Sequence, residues 1–208
     1  MDIYCYKIVR DYGFAPNPFF GICTLATCKW EIRKYAQIGS WIAGFGGKGT
    51  IVPDKLIYLM HVDDAMTFDE YWNSAEFQKK KPAFDSSLKV CYGDNIYHHK
   101  QDGSWAQENS HHSKEDGINE VNLKKDTKAN RVLISRTYWY FGREALIIPK
   151  QFKKLIPHSR DYERHYSDQL NFKWENFHCW IQTSYEMGQH GLPCDWKKNK
   201  GFTRYKGE

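Results

Sequence analysis

No run in this sequence approaches the roughly 18 apolar residues that a membrane-spanning helix needs. The first residues, Met1-Asp2-Ile3-Tyr4-Cys5-Tyr6, have neither the basic region nor the apolar stretch of a secretory signal. The six cysteines are scattered, and the closest pair, Cys23 and Cys28, encloses four residues without forming a CxxC. A disulfide framework is therefore not expected, and a cytoplasmic location with no membrane partner is. No glycine-rich phosphate loop, HExxH or zinc-type Cys/His spacing is present, so no nucleotide-hydrolase or metalloprotease class can be read directly. Regular βαβ alternation is also missing, which argues against a doubly wound sheet. There is no internal repeat.

What is abundant is the aromatic ring. Eight Trp, fourteen Tyr and twelve Phe stand among 208 residues. Such rings fill β-rich cores, and they also build rigid platforms on which bases stack. The net charge of +5 permits contact with a polyanion without demanding it.

Residues 2–9 read as a strand, and Asp11 to Phe20, with Pro16 and Pro18, as a stiffened loop. A short helix is expected over 28–36. Strands follow at 40–45, 55–62, 88–97, 131–135 and 138–142. Thr67 and Glu70 form the capping box of a helix carrying Phe68, Tyr71 and Trp72. Pro149 opens a short helix with Phe152 and Leu155, and a second runs from Leu170 to Ile181. Between about 98 and 130 the sequence turns polar and loop-rich, a long insertion of the length that is usually functional or disordered. The expectation is one α+β domain over 1–208, a compact mixed β-sheet or distorted β-barrel with short flanking helices.

The stretch Arg10-Asp11-Tyr12-Gly13-Phe14-Ala15-Pro16-Asn17-Pro18-Phe19-Phe20-Gly21 leads to Cys23-Thr24-Leu25-Ala26-Thr27-Cys28-Lys29. With Gly93-Asp94-Asn95-Ile96-Tyr97 and the run Tyr138 to Gly142, it resembles the nucleotide modification associated domain 2 family of bacteria and phages. The resemblance covers most of the chain. It implies a role beside DNA-base hypermodification systems and supplies no catalytic mechanism. Gly39-Ser40-Trp41-Ile42-Ala43-Gly44-Phe45 also looks like the start of PUA-like domains, whose EVE and ASCH relatives hold a modified base in a pocket on a distorted barrel.

Two segments concentrate chemistry, the 11–29 loop and 93–112, and they are expected to form one pocket that binds a nucleotide or modified base. In the first, Asp11, Asn17, Cys23, Thr24, Cys28 and Lys29 are held near one another by a proline-stiffened loop. Asp11 can act as a base, Asn17 can read a base edge, and Cys23 can be a nucleophile if a neighbour activates it. Turn capping and core packing are the plain alternatives for all of them. In the second, Gly93 precedes Asp94 and Asn95, with Tyr97 and His112 downstream; an ordinary turn is the alternative. Four histidines, His98, His99, His111 and His112, are expected mainly in an exposed loop. No metal site is expected, although Asp94 or Glu108 would be the third ligand of one. Tyr140 lies in a strand with one ring face available for stacking, and Arg160 can meet phosphate. Asp11, Cys23 and Asp94 are thus the candidate catalytic residues, and Asn17, Thr24, Lys29, Asn95, Tyr97, His112, Tyr140 and Arg160 the candidate ligand contacts. The partner is a nucleotide or nucleic acid, DNA ahead of RNA; the sequence names no cofactor and no oligomeric state. A noncatalytic reader of modified bases fits the same residues.

Overall fold

A computed structural model describes residues 1–159, 161–196, 201–205 and 207. Along the chain the elements are β1 (Asp2–Ile8), β2 (Cys23–Leu25), α1 (Trp30–Tyr35), β3 (Trp41–Gly46), β4 (Leu56–His61), β5 (Asp64–Met66), α2 (Phe68–Asn73), α3 (Leu88–Cys91), β6 (Tyr97–His99), β7 (Trp105–Gln107), α4 (Glu120–Asp126), β8 (Val132–Ser135), β9 (Tyr138–Tyr140), β10 (Tyr162–Tyr166), α5 (Trp174–Ser184) and β11 (Gly188–Gln189). The class is α+β, as expected. Among the described residues no helix is long and apolar enough to cross a membrane.

The chain forms two compact units. The first comprises Met1–Tyr12, Ala36–Asp63 and Ser135–Trp196; the second comprises Gly13–Tyr35, Asp64–Ile134 and Lys197–Glu208.

The first unit is built on a mixed six-stranded sheet in the order β10-β1-β3-β4-β9-β11. β1 runs parallel to β3, and β9 to β11; the other pairs are antiparallel. The period-2 alternation of a strand sends Ile3 and Cys5, Trp41, Ala43 and Phe45, and Trp139 to one face. There they meet Phe152, Leu155, Trp174, Phe177 and Ile181 in one buried cluster. On the opposite pleat the Tyr58 hydroxyl donates to Tyr6 at 2.9 Å. Gly44 is required beside it, because a Cβ there would lie 2.3 Å from the Tyr58 ring. The sheet is open, so the barrel alternative gives way. β10 and β11 stand at opposite edges, and β11, two residues long, offers too short an edge for closure.

The second unit contains the three-stranded sheet β2-β8-β5 and the hairpin β6-β7. The capping box of α2 is present: Thr67 accepts from the Glu70 amide, and Glu70 accepts from the Thr67 amide at 2.7 Å. The strand expected over 88–97 is instead the helical turn α3 followed by extended chain. Ser87 O accepts from both Val90 and Cys91, so a local turn overrides the β preference of Val and Tyr. The polar stretch 98–130 carries β6, β7 and α4. It does not expose its second histidine pair; His111 and His112 are buried.

Candidate functional site

The ring stack offers no platform of the kind considered from sequence. Tyr138, Trp139, Tyr140 and Phe141 are all buried, because both pleats of β9 face side chains rather than water. Tyr140 donates to Asp11 Oδ1 at 2.6 Å, and Asp11 Oδ2 accepts from the Cys194 amide at 2.9 Å. The Asp11 amide donates in turn to Asp195. Asp11 thus ties the β1–loop junction to the segment after β11, all within the first unit.

In the second unit, the two chemistry-bearing segments meet. Thr24, on β2, donates to Asp94 Oδ2 at 2.6 Å, and Tyr71, on α2, donates to Asp94 Oδ1 at 2.7 Å. Burial pushes the Asp94 carboxyl up, while Lys80 and the Thr24 and Tyr71 hydroxyls pull it back. The same burial holds the Tyr71 phenol well above its ordinary value and pushes the Cys23 thiol up to about 12. Lys80 Nζ donates to Asn17 O, Asn17 Oδ1 and Ile22 O at 2.9, 2.7 and 2.7 Å. Asn17 Nδ2 reaches Tyr92 O, and Asn95 Nδ2 donates to Tyr71 O and Phe77 O. Polar atoms withdrawn from water must be paired, and here the pairs fasten the loop 13–27 against the turn 93–95.

That loop ends at Cys28, where a different geometry begins. Cys28 and Lys29 have φ of 56° and 30°. Two consecutive non-glycine residues in the left-handed region cost of order 1–3 kcal/mol each and persist only where the surroundings impose them. The surroundings do so here. The Cys28 amide donates to Asp126 Oδ1 at 2.8 Å, and the Cys28 carbonyl accepts from Arg33 Nε at 3.0 Å. Arg33, in the last turn of α1 and fully buried, also donates to Ala129 O and Arg131 O at 2.7 Å and to Asp126 O.

Asp126 closes α4 and receives three side-chain or amide donors. Besides the Cys28 amide, Oδ2 accepts from His112 Nδ1 at 2.7 Å and from the Tyr97 hydroxyl at 2.9 Å. On the far side of the imidazole, His112 Nε2 stands 3.7 Å from Cys28 Sγ. His112 is held in place by two donors on its carbonyl, Gln107 Nε2 and Asn122 Nδ2, and by the Phe14 ring at 4.7 Å. Burial alone would lower the imidazole, but the Asp126 charge and then the Cys28 sulfur outweigh it and raise it to about 10. Asp126 itself stays low: burial works against it, and His112, Arg33 and Tyr97 prevail. Cys28 is half-buried, whereas Cys23 is fully enclosed.

The outcome is a line carboxylate–imidazole–sulfur, with each nitrogen engaged by one neighbour. This is the arrangement by which a base is oriented and a nucleophile activated. The ligand atoms of Cys28, His112 and Asp126 lie within 4.8 Å of one another and match zinc in kind. The imidazole standing between sulfur and carboxylate, with Nδ1 given to Asp126, fits the hydrogen-bonded line better than three donors converging on one point.

Of the residues considered from sequence, Tyr97 and His112 belong to this line, and Lys29 adjoins it. Asn17, Cys23, Thr24, Asp94 and Asn95 belong to the fastening network, while Asp11 and Tyr140 lie in the first unit; Arg160 falls outside the described residues. Cys28 belongs to the first segment, with core packing as its plain reading from sequence and no catalytic role; Asp126 and Arg33 are not among the sequence candidates. No sequence signal singled out Cys28, which stands two positions before the six-residue α1. Asp126 gave none, since its partners are distant in sequence.

A family model described as nucleotide modification associated domain 2 matches residues 1–200. No curated protein and no solved structure matches the chain.

Proposed function

The chain belongs to the nucleotide modification associated domain 2 family, and from that premise we propose that it acts in nucleotide modification as a thiol enzyme, with Cys28 as nucleophile. The single observation carrying this reading is the Asp126–His112–Cys28 line, buried at its carboxylate end and half-open at its sulfur. The substrate class is a nucleotide or nucleobase, or an activated donor to it, bearing an electrophilic carbon with a nitrogen or oxygen leaving group. DNA is the polymer of choice over RNA in this reading.

In the first half-reaction the Cys28 sulfur forms a bond to that carbon, and the bond to the leaving atom breaks with its electron pair. His112 Nε2 delivers its proton to the leaving atom. In the second half, water or an acceptor gives a proton back to His112 and takes the carbon from sulfur. Asp126 keeps the imidazole oriented through both steps. Arg33 and Tyr97 are positioning residues that hold Asp126 and the Cys28 carbonyl. Thr24, Asp94, Asn17 and Lys80 serve by anchoring the loop that delivers Cys28.

Mass spectrometry of nucleotide pools and DNA digests from cells with and without the protein tests this. A mass shift that vanishes with Cys28→Ala and survives Cys23→Ala supports the thiol enzyme. A shift that survives Cys28→Ala refutes it. Absence of any shift, with retention of a modified-base oligonucleotide by the purified protein, makes the chain a reader instead.

A further inference from the structure

The first unit carries a groove of about 920 Å³ along the end of β1, the turn after β3 and the segment 147–159. Its volume falls in the range of ligand sites, about 300–1,000 Å³. Its lining is divided by chemistry. Lys7, Lys48, Lys55 and Lys153 face it against one carboxylate, Asp54, and that carboxylate is taken by Lys7. Lys48, Lys55 and Lys153 have no acidic partner among the described residues. The same groove is also lined by Ile147, which is 75% exposed, and by Ile156 and Pro157.

A solvated lysine face accounts for the charge and leaves the exposed isoleucine without a use. A ligand with both an anion and a flat apolar body accounts for both. Phosphate satisfies lysine as a compact charge, and a sugar or base face covers apolar wall. Gly49 in the turn keeps one side of the groove low, since no side chain rises there. We propose that this groove binds the phosphate of a nucleotide, free or within a single strand, as a site separate from the Cys28 line. It stands on the first unit alone and does not depend on the thiol chemistry.

The test is fluorescence anisotropy with a labelled single-stranded DNA of about 12 nucleotides. Unlabelled deoxynucleoside 5′-monophosphate and the corresponding uncharged nucleoside serve as competitors. Three lysine contacts predict a slope of log affinity on log salt near −2, at about −0.7 per phosphate on a single strand. The triple variant Lys48→Glu/Lys55→Glu/Lys153→Glu should lose at least tenfold in affinity and flatten that slope. The control Lys124→Glu/Lys125→Glu, placed on the exposed side of α4, should lose less than threefold. Peptide-resolved alkylation of Cys28 should be unchanged in the triple variant, so failure at the groove leaves the thiol assignment standing, and the converse. Competition by the monophosphate points to a free nucleotide; competition by unlabelled strand alone points to a polymer; both support the site. Equal losses in the triple and control variants, competition by the uncharged nucleoside as strong as by the monophosphate, or no binding of either phosphate probe, overturns it. Circular dichroism melts of both variants exclude unfolding as the cause.

Discussion

Asp126→Asn keeps the shape of the side chain and removes one charge. The carboxylate accepts from the Cys28 amide on one oxygen and from His112 and Tyr97 on the other. An amide has one acceptor oxygen and one donor nitrogen. With its oxygen toward His112, its NH2 opposes the Cys28 N–H; turned over, it opposes two donors at once. Each orientation leaves a buried donor unpaired, at about 1–3 kcal/mol. Two buried cations, His112 and Arg33, also lose their counter-charge, and breaking a buried pair from one side costs about 3–5 kcal/mol. For a chain of this length that corresponds to a fall in Tm of roughly 6–20 °C, at about 2–4 °C per kcal/mol. The imidazole should respond as well. Without Asp126, burial is the dominant influence left on His112, so a ring that stays protonated to about 10 in the native chain should be neutral at about pH 8. Ring-labelled NMR reads this directly, and peptide-resolved alkylation by iodoacetamide, which separates Cys28 from the exposed Cys179, should show slower reaction at Cys28. An Asp126→Asn chain that melts within about 1 °C of native and keeps a protonated His112 would refute the assignment of Asp126 as the charge that organises the line.

Gly93→Ala places a Cβ 2.3 Å from Lys80 O and 2.8 Å from Pro82 N, both backbone, so denaturant unfolding should show a loss of about 1–3 kcal/mol. Lys80→Met leaves three carbonyl acceptors without their ammonium and should cost about 3 kcal/mol by the same measurement. Lys80 is lowered by burial from 10.5 to about 8, so the unfolded chain holds its proton longer; the native advantage over Lys80→Met should widen between those values as pH rises. His112 runs the other way. Its folded value of about 10 exceeds the unfolded 6.5, so its contribution is full below 6.5 and lost as pH rises through 10, and the native advantage over His112→Phe should narrow across that span.

Much of the secondary structure was legible because its causes are local. The Thr67–Glu70 box, the aromatic alternation of β3 and β9 and the break after Phe45-Gly46 depend on residues a few positions apart. The failures trace to turns and long-range contacts that alternation of residue types does not report. Val90 and Tyr92 read as strand, yet a turn closed on Ser87 and the withdrawal of Gly93 against Lys80 O decide the backbone there. His111 and His112 sit in a polar sequence, yet Phe14, Asn122 and Tyr205, from three distant segments, cover them. Tyr140 read as a possible platform because alternation says which pleat a ring takes and nothing about what covers it.

The contrast between Cys23 and Cys28 shows why the candidate nucleophile moved by five residues. Both lie in the same loop-to-helix passage and neither sits in a motif, so sequence offered no ground to choose. Cys23 falls on β2 with zero exposure, where burial outweighs the pull of Lys80 and, with Asp94 beside it, pushes the thiol up to about 12. Cys28 falls where the chain takes a left-handed turn into α1, half-open and facing a cationic imidazole across 3.7 Å. A thiolate needs a nearby cation and a path for its partner; only the second cysteine has both. The Lys80–Asn17–Asp94–Thr24 network then has a physical reason to be buried and fully engaged. A strained pair of residues at 28 and 29 persists only if the loop entering it is held, and these side chains hold it.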